Sequence, residues 1–194
     1  MDKPKHINPL PLFLQLSFPW RGVVCLALIT GLMAVTLAHV FNDFMVTEVI
    51  SHYVTVLFMG WLAVTDAKHF ILPNRILLAW FGCRILLIFT GFLVYETFDV
   101  IIGAVMGAAI IGLLFLIIYY ASKRSMGGGD VKLSFVLGLA LTWNMVFTAV
   151  FYALILCAVF ALVMLGLKKM SRKDALPLGP FLYGGVVLAY FLQI

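Results

Sequence analysis

Two aspartates in this chain sit where chemistry could be done. The stretch "SMGGGDVKLSF", Ser125 to Phe135, sets Asp130 behind three consecutive glycines and ahead of a lysine and an apolar run. A carboxylate within a membrane span costs about 2.5 to 3.5 kcal/mol at the bilayer centre and less toward the interface, so one retained near a span is a candidate functional group. As a plain N-cap, Asp130 would accept backbone N–H bonds at the start of the next helix and complement its dipole. A cap does not by itself require the glycines, which permit positive φ and let another chain approach closely. On this stretch alone both readings stand. Phosphate binding does not, because a P-loop needs Gly-Lys-Ser/Thr and Lys132 lies between valine and leucine.

The second carboxylate is in "AVTDAKHFILPNR", where Asp66 ends one apolar span and "LPN" closes the connector to the next. Pro73 restricts Leu72 to extended geometry, and Asn74 is the expected N-cap of a helix starting near Ile76. Apart from Asp174 in the basic last connector, Asp66 and Asp130 are the only carboxylates at a junction between an apolar span and a cation-bearing connector. Two aspartates at one depth on different helices are what an aspartic peptidase needs. One is protonated and polarises the scissile carbonyl, while the other is ionised and takes a proton from water.

The elements that must position them follow from composition. Hydrophobic residues make up 64% of the 194 and charged residues 11%, and mean hydropathy is +1.15, outside the balance of soluble domains. Apolar stretches run Val23 to Val40, Tyr53 to Thr65, Ile76 to Val94, Val100 to Tyr120, Val131 to Thr142, Met145 to Leu167 and Leu178 to Ile194. The expected fold is an all-α polytopic membrane protein of about seven transmembrane helices, the second, fifth and seventh being short. Lys3, Lys5, Arg21, Lys68, Arg75, Lys123, Arg124, Lys132, Lys168, Lys169, Arg172 and Lys173 then fall on one side, whereas "FNDFMVTEVISH", "YETFD" and "WN" carry no cation. That side is expected to be the cytoplasm, with the N-terminus and both aspartates there. Topology accounts for the net charge of +5, and no nucleic-acid partner is needed.

Pro9, Pro11 and Pro19 interrupt "INPLPLFLQLSFPW", which is expected to lie at the bilayer interface ahead of an uncleaved anchor. Cys25, Cys83 and Cys157 form no Cys-x-x-Cys, and His6, His39, His52 and His69 have no ligand spacing, so no metal is expected. Arg84, about two turns into its span, could snorkel to the interface or pair with a carboxylate. In "GAVMGAAIIG" the four-residue spacing of Gly103 and Gly107, and of Ala104 and Ala108, argues for close packing within the bundle; a homodimer through this stripe is the alternative left open.

These residues carry a family resemblance. "GGGDVKL", Gly127 to Leu133, resembles the Gly-x-Gly-Asp motif with its Val-Lys-Leu extension in type IV prepilin peptidases, and "DAKHFILPN", Asp66 to Asn74, resembles their first aspartate motif. "LPLGPFLYGG", Leu176 to Gly185, is similar to the signature opening their last span, with Pro177, Gly179 and Pro180 at the matching positions. The resemblance implies a six-helix peptidase core over residues 53–194, with residues 1–52 adding an interfacial segment and one extra helix. It implies that Asp66 and Asp130 are catalytic, with Gly127, Gly129, Lys132, Pro73 and Asn74 as motif support. The implied substrate is a type IV prepilin or pseudopilin in the bacterial inner membrane, cut at its basic leader on the cytoplasmic face. Many relatives also carry paired Cys-x-x-Cys motifs and a methyltransferase activity. Without those cysteines, a peptidase without the methyltransferase and without cofactors is expected.

The rivals differ in class. A proton-coupled transporter would place its carboxylates near the midplane in interrupted helices. A protease of the signal-peptide-peptidase type shares Gly-x-Gly-Asp but carries Pro-Ala-Leu where this chain has "LPLGP". A non-catalytic scaffold would tolerate Asp66→Asn.

Overall fold

The structure, a computed structural model, describes residues 20–41, 46–95, 98–122, 126–141, 143–170 and 176–192. The expected interfacial segment before Trp20, and Lys123, Arg124, Arg172, Lys173 and Asp174, lie outside them. Among the described residues seven helices follow in order: α1 Trp20–Phe41, α2 Val46–His69, α3 Asn74–Tyr95, α4 Asp99–Ala121, α5 Gly128–Ala140, α6 Trp143–Gly166 and α7 Gly179–Leu192. The chain is an all-α polytopic membrane protein. Helices α2, α3, α4 and α6, of 22 to 24 residues, are long and apolar enough to cross a bilayer. By contrast α5 has 13 residues and α7 has 14, about 20 Å each at 1.5 Å per residue.

One expected span is longer than its apolar run. The sequence suggests Tyr53 to Thr65, but α2 begins at Val46 and takes in Glu48, Ser51 and His52. Ser51 and His52 are buried, at 1% and 4% exposure. Polar residues facing protein rather than lipid make this part of the helix look like a connector.

The core is built from Met59, Leu62, Trp80, Phe115, Leu137 and Tyr190 among others, drawn from all seven helices. Outward faces are apolar too. On α4, Ile102, Val105, Leu113 and Ile117 are more than half exposed, a surface suited to lipid rather than water. The small-residue stripe of α4 faces inward: Ala104, Gly107 and Ala108 are buried, and Gly107 meets the backbone of Gly138 on α5. Gly103, in the same stripe, has open space where a Cβ would stand.

Candidate active site

Asp66 is in the last turns of α2 and is 5% exposed. The helix stops at His69, where Phe70 takes φ 54° while its N–H bonds the Asp66 carbonyl at 2.8 Å. A bulky side chain in the left-handed region costs about 1 to 2 kcal/mol. The turn it makes sends "ILPN" back across the end of the bundle. Pro73 then caps α3, its carbonyl accepting from Ile76 N at 3.1 Å and Leu77 N at 3.2 Å.

Asn74 is the first residue of α3, not the cap expected from sequence. Its Oδ1 instead accepts from Lys132 Nζ at 3.1 Å. Pro73 fills the capping position with its carbonyl, which frees the Asn74 side chain to reach α5.

Asp130 likewise is not an N-cap. The cap position belongs to Gly127, with extended φ −67° and ψ 134°, and Asp130 is the third helical residue. Its carboxylate turns back to the Gly127 N–H, half of a capping box. None of the described glycines has positive φ, so the left-handed freedom the sequence suggests is not used in this loop. Space is what the motif glycines supply. A Cβ at Gly127 would stand 3.1 Å from Asp130 Oδ2, and one at Gly129 would stand 3.1 Å from the Leu72 side chain, whereas one at Gly128 would meet nothing within 4 Å. Gly128→Ala is therefore expected to raise stability by about 0.5 to 1 kcal/mol, while Gly129→Val, which must displace Leu72, should lower it by about 1 to 3 kcal/mol. Thermal unfolding of both variants checks this; equal midpoints of the two would refute it.

The third motif closes on the first. Gly179 N donates to Asp66 Oδ2 at 2.7 Å, and a Cβ at Gly179 would lie 2.9 Å from that oxygen and 3.0 Å from Asp66 Cβ. Gly179 opens α7, so its N–H is one of the donors a helix leaves unpaired, and the positive end of the helix favours an anion. Pro177 is buried beside it and Pro180 follows within the first turn. Each carboxylate thus rests on the N-terminus of a half-length helix: Asp130 on that of α5, Asp66 on that of α7. The two are close enough for Asp66 to act electrostatically on Asp130.

Asp130 lies outside the four long spans. Burial pushes its carboxyl up from the ordinary 3.8 to about 6, the negative charge of Asp66 adding to the rise and the Gly127 hydrogen bond opposing it. Two carboxylates this close, of which Asp130 is prone to keep a proton, can divide base and acid roles. An apolar groove of about 770 Å³ between α3, α4 and α5 begins next to this pair at Val131 and Lys132. Among the described residues no group of three or more His, Cys, Asp or Glu could hold a metal ion.

The structure brings all the motif residues named from sequence to one end of the bundle. Leu72, Phe70 and Ser51 were not identified from sequence. Leu72 is marked only by the proline that follows it, and nothing in a phenylalanine signals a left-handed turn.

Residues 53–162 match the model of the family described as "Type IV leader peptidase family". Over 134 residues the chain is 31% identical to a prepilin leader peptidase/N-methyltransferase of Bacillus subtilis, covering 66% of this chain and 50% of the relative. The equivalent protein of Pectobacterium carotovorum is 33% identical over 131 residues, covering 66% and 47%. Leader peptidase HopD of Escherichia coli is 35% identical over 132 residues, covering 62% of this chain and 79% of that protein. The chain thus matches about half the length of the first two relatives. No solved structure matches it significantly.

Proposed function

This chain belongs to the type IV leader peptidase family, and on that premise we propose that it is a membrane aspartic endopeptidase that removes the basic leader of a type IV prepilin or pseudopilin. The observation that carries the reading is the meeting of the three motif segments around Asp66 and Asp130. Gly179 bonds Asp66, Leu72 packs at Gly129, and Asn74 bonds Lys132.

In this reading Asp66, whose Oδ2 accepts the Gly179 N–H, is the ionised member and takes a proton from water. The water oxygen attacks the carbonyl carbon of the last leader peptide bond, and Asp130 gives its proton to the carbonyl oxygen. The tetrahedral intermediate collapses as a proton passes to the leaving nitrogen, which frees the leader's carboxylate and the mature amine. The apolar groove beside Asp130 gives the substrate's apolar stem a place alongside α3, α4 and α5. The chain has no Cys-x-x-Cys pair, so these residues are assigned the peptidase step alone. Co-expression with candidate prepilins, followed by N-terminal sequencing of the product, tests the function; a precursor with its leader intact beside correctly inserted protein would refute it.

The site is placed at the cytoplasmic face of a bacterial inner membrane. Supporting this, Lys68 is in the last turn of α2, Arg75 is in the first turn of α3 and Lys132 is next to Asp130, all at the aspartate end. Cysteines introduced at Asp99 and Lys132, both exposed, should label from opposite sides of intact cells, Asp99 from outside. Labelling of both from outside would overturn the orientation.

The pH dependence has a definite sign. Asp130 holds its proton below about 6 and loses it above, so the acid member disappears as pH rises. The rate should fall about tenfold per pH unit on that limb and fall again in acid as Asp66 gains a proton. For stability, the raised value favours folding fully below 3.8, and this contribution is lost as pH climbs through about 6. A pH–rate profile in liposomes checks the first expectation, and a rate rising steadily from about pH 5 to pH 9 would exclude a shared-proton pair.

A further inference from the structure

Helix α5 carries Asp130 and stops inside the bundle. Its 13 residues span about 20 Å, short of a hydrocarbon core of about 30 Å. Two bonds fix its depth against α3. Lys132, in its first two turns, meets Asn74 at the start of α3. Near its end, the Leu139 carbonyl accepts from Arg84 Nε at 2.8 Å, in the middle of α3. The last carbonyls of a helix have no partner within it. Here water is excluded as well, Ala140 being 1% and Leu141 0% exposed. In an apolar interior each unsatisfied group of this kind costs several kcal/mol.

Arg84 supplies the missing donor. Its side chain is 5% exposed and so points into the bundle, not along the helix to the interface as snorkelling would require. Besides the Leu139 carbonyl it bonds Ser51 Oγ on α2 through Nη1 at 2.7 Å. The positive charge also faces the negative end of the α5 dipole, and Glu48 on α2 and Tyr190 on α7 lie within electrostatic reach. A planar fork with fixed donors can hold two acceptors on two helices at once, which an ammonium holds less well. The two helices joined in this way to α3 are α2, which bears Asp66, and α5, which bears Asp130.

We propose that Arg84 is a positioning residue for the two-aspartate site: by pinning the buried C-terminal end of α5 against α2, it sets the axial position of α5 and thereby the place of Asp130 opposite Asp66. It acts over nine residues of helix, about 14 Å, and touches neither carboxylate. The inference rests on the reading of Asp66 and Asp130 as the catalytic pair.

The test is steady-state cleavage of a prepilin fragment by the purified full chain in liposomes, comparing wild type with Arg84→Met, Arg84→Lys, Ser51→Ala and, as a control, Asp130→Asn. A shift of about 1 Å in a catalytic group can cost about 100-fold, so Arg84→Met should lower kcat by about that factor with KM within about twofold of wild type. Arg84→Lys should recover about tenfold of the loss, and Ser51→Ala, which keeps the Leu139 bond, should lose only a few-fold. A kcat within about twofold of wild type for Arg84→Met, or a loss confined to KM, would overturn the proposal. Should Arg84→Met fail to accumulate, the decision passes to Arg84→Lys and Ser51→Ala: lowered kcat at unchanged KM supports it, and wild-type kcat in both overturns it. An active Asp130→Asn would instead show that the catalytic reading itself is wrong.

Discussion

Asp66→Asn and Asp130→Asn are each expected to abolish leader removal, by about 10⁴-fold or more, with the protein still inserted. An amide keeps the size of the carboxylate and can still accept the hydrogen bond at its oxygen, from Gly179 at position 66 or from Gly127 at position 130. What it cannot do is exchange a proton with water or with the scissile carbonyl. Because the two roles belong to one proton circuit, the double variant should be scarcely slower than either single one. Leader removal from a co-expressed prepilin, normalised to inserted protein, measures this. More than about a tenth of wild-type cleavage in either variant would remove that residue from the mechanism.

Gly138→Val should be strongly damaging although it lies away from the aspartates. A Cβ at Gly138 would overlap the Gly107 carbonyl oxygen, lie 2.6 Å from Gly107 C and lie 2.8 Å from Ala108 Cα. These are backbone atoms of α4, so no rotamer change relieves the overlap, and the two helices must separate along the contact that locates α5. Overpacking typically costs about 1 to 3 kcal/mol and more where backbone must move. Inserted protein and its thermal midpoint should both fall, while Gly103→Val, with open space around it, should leave them unchanged. Equal stability of the two variants would mean that the α4–α5 crossing does not organise the bundle.

This contrast also shows what a sequence can and cannot reveal. The stripe of small residues on α4 was legible and suggested close packing, but Gly138, its partner, sits alone in an apolar run and no spacing links it to Gly107. The order of the described helices was legible because apolar runs separated by short polar connectors are hard to disguise. The start of α2 was not, since Ser51 and Arg84 mask one another: each reads as a misplaced polar residue until their 2.7 Å bond is seen. Around the candidate site the three motif segments, expected from sequence at one membrane face, meet at one end of the bundle. Their connections were not legible. Asn74 looked like a cap because asparagine before a helix usually is one, and only the course of α5 shows Lys132 within reach of it. Gly179 read as a helix-opening glycine, and the carboxylate its missing Cβ makes room for lies 113 residues away.

In the proposed mechanism water, activated by a pair of aspartates, attacks the scissile carbonyl directly. The measurement that tests this most directly is cleavage of a synthetic prepilin fragment by the purified protein in liposomes with hydroxylamine present, the products identified by mass spectrometry. Water attack leaves no covalent intermediate for another nucleophile to intercept, in contrast to a serine or cysteine acyl-enzyme. The account predicts cleavage at the junction of the basic leader and the apolar stem, with the leader ending solely in a free carboxylate and the rate unchanged by hydroxylamine. A leader hydroxamate, or a protein with both aspartates intact that does not cut, would contradict it.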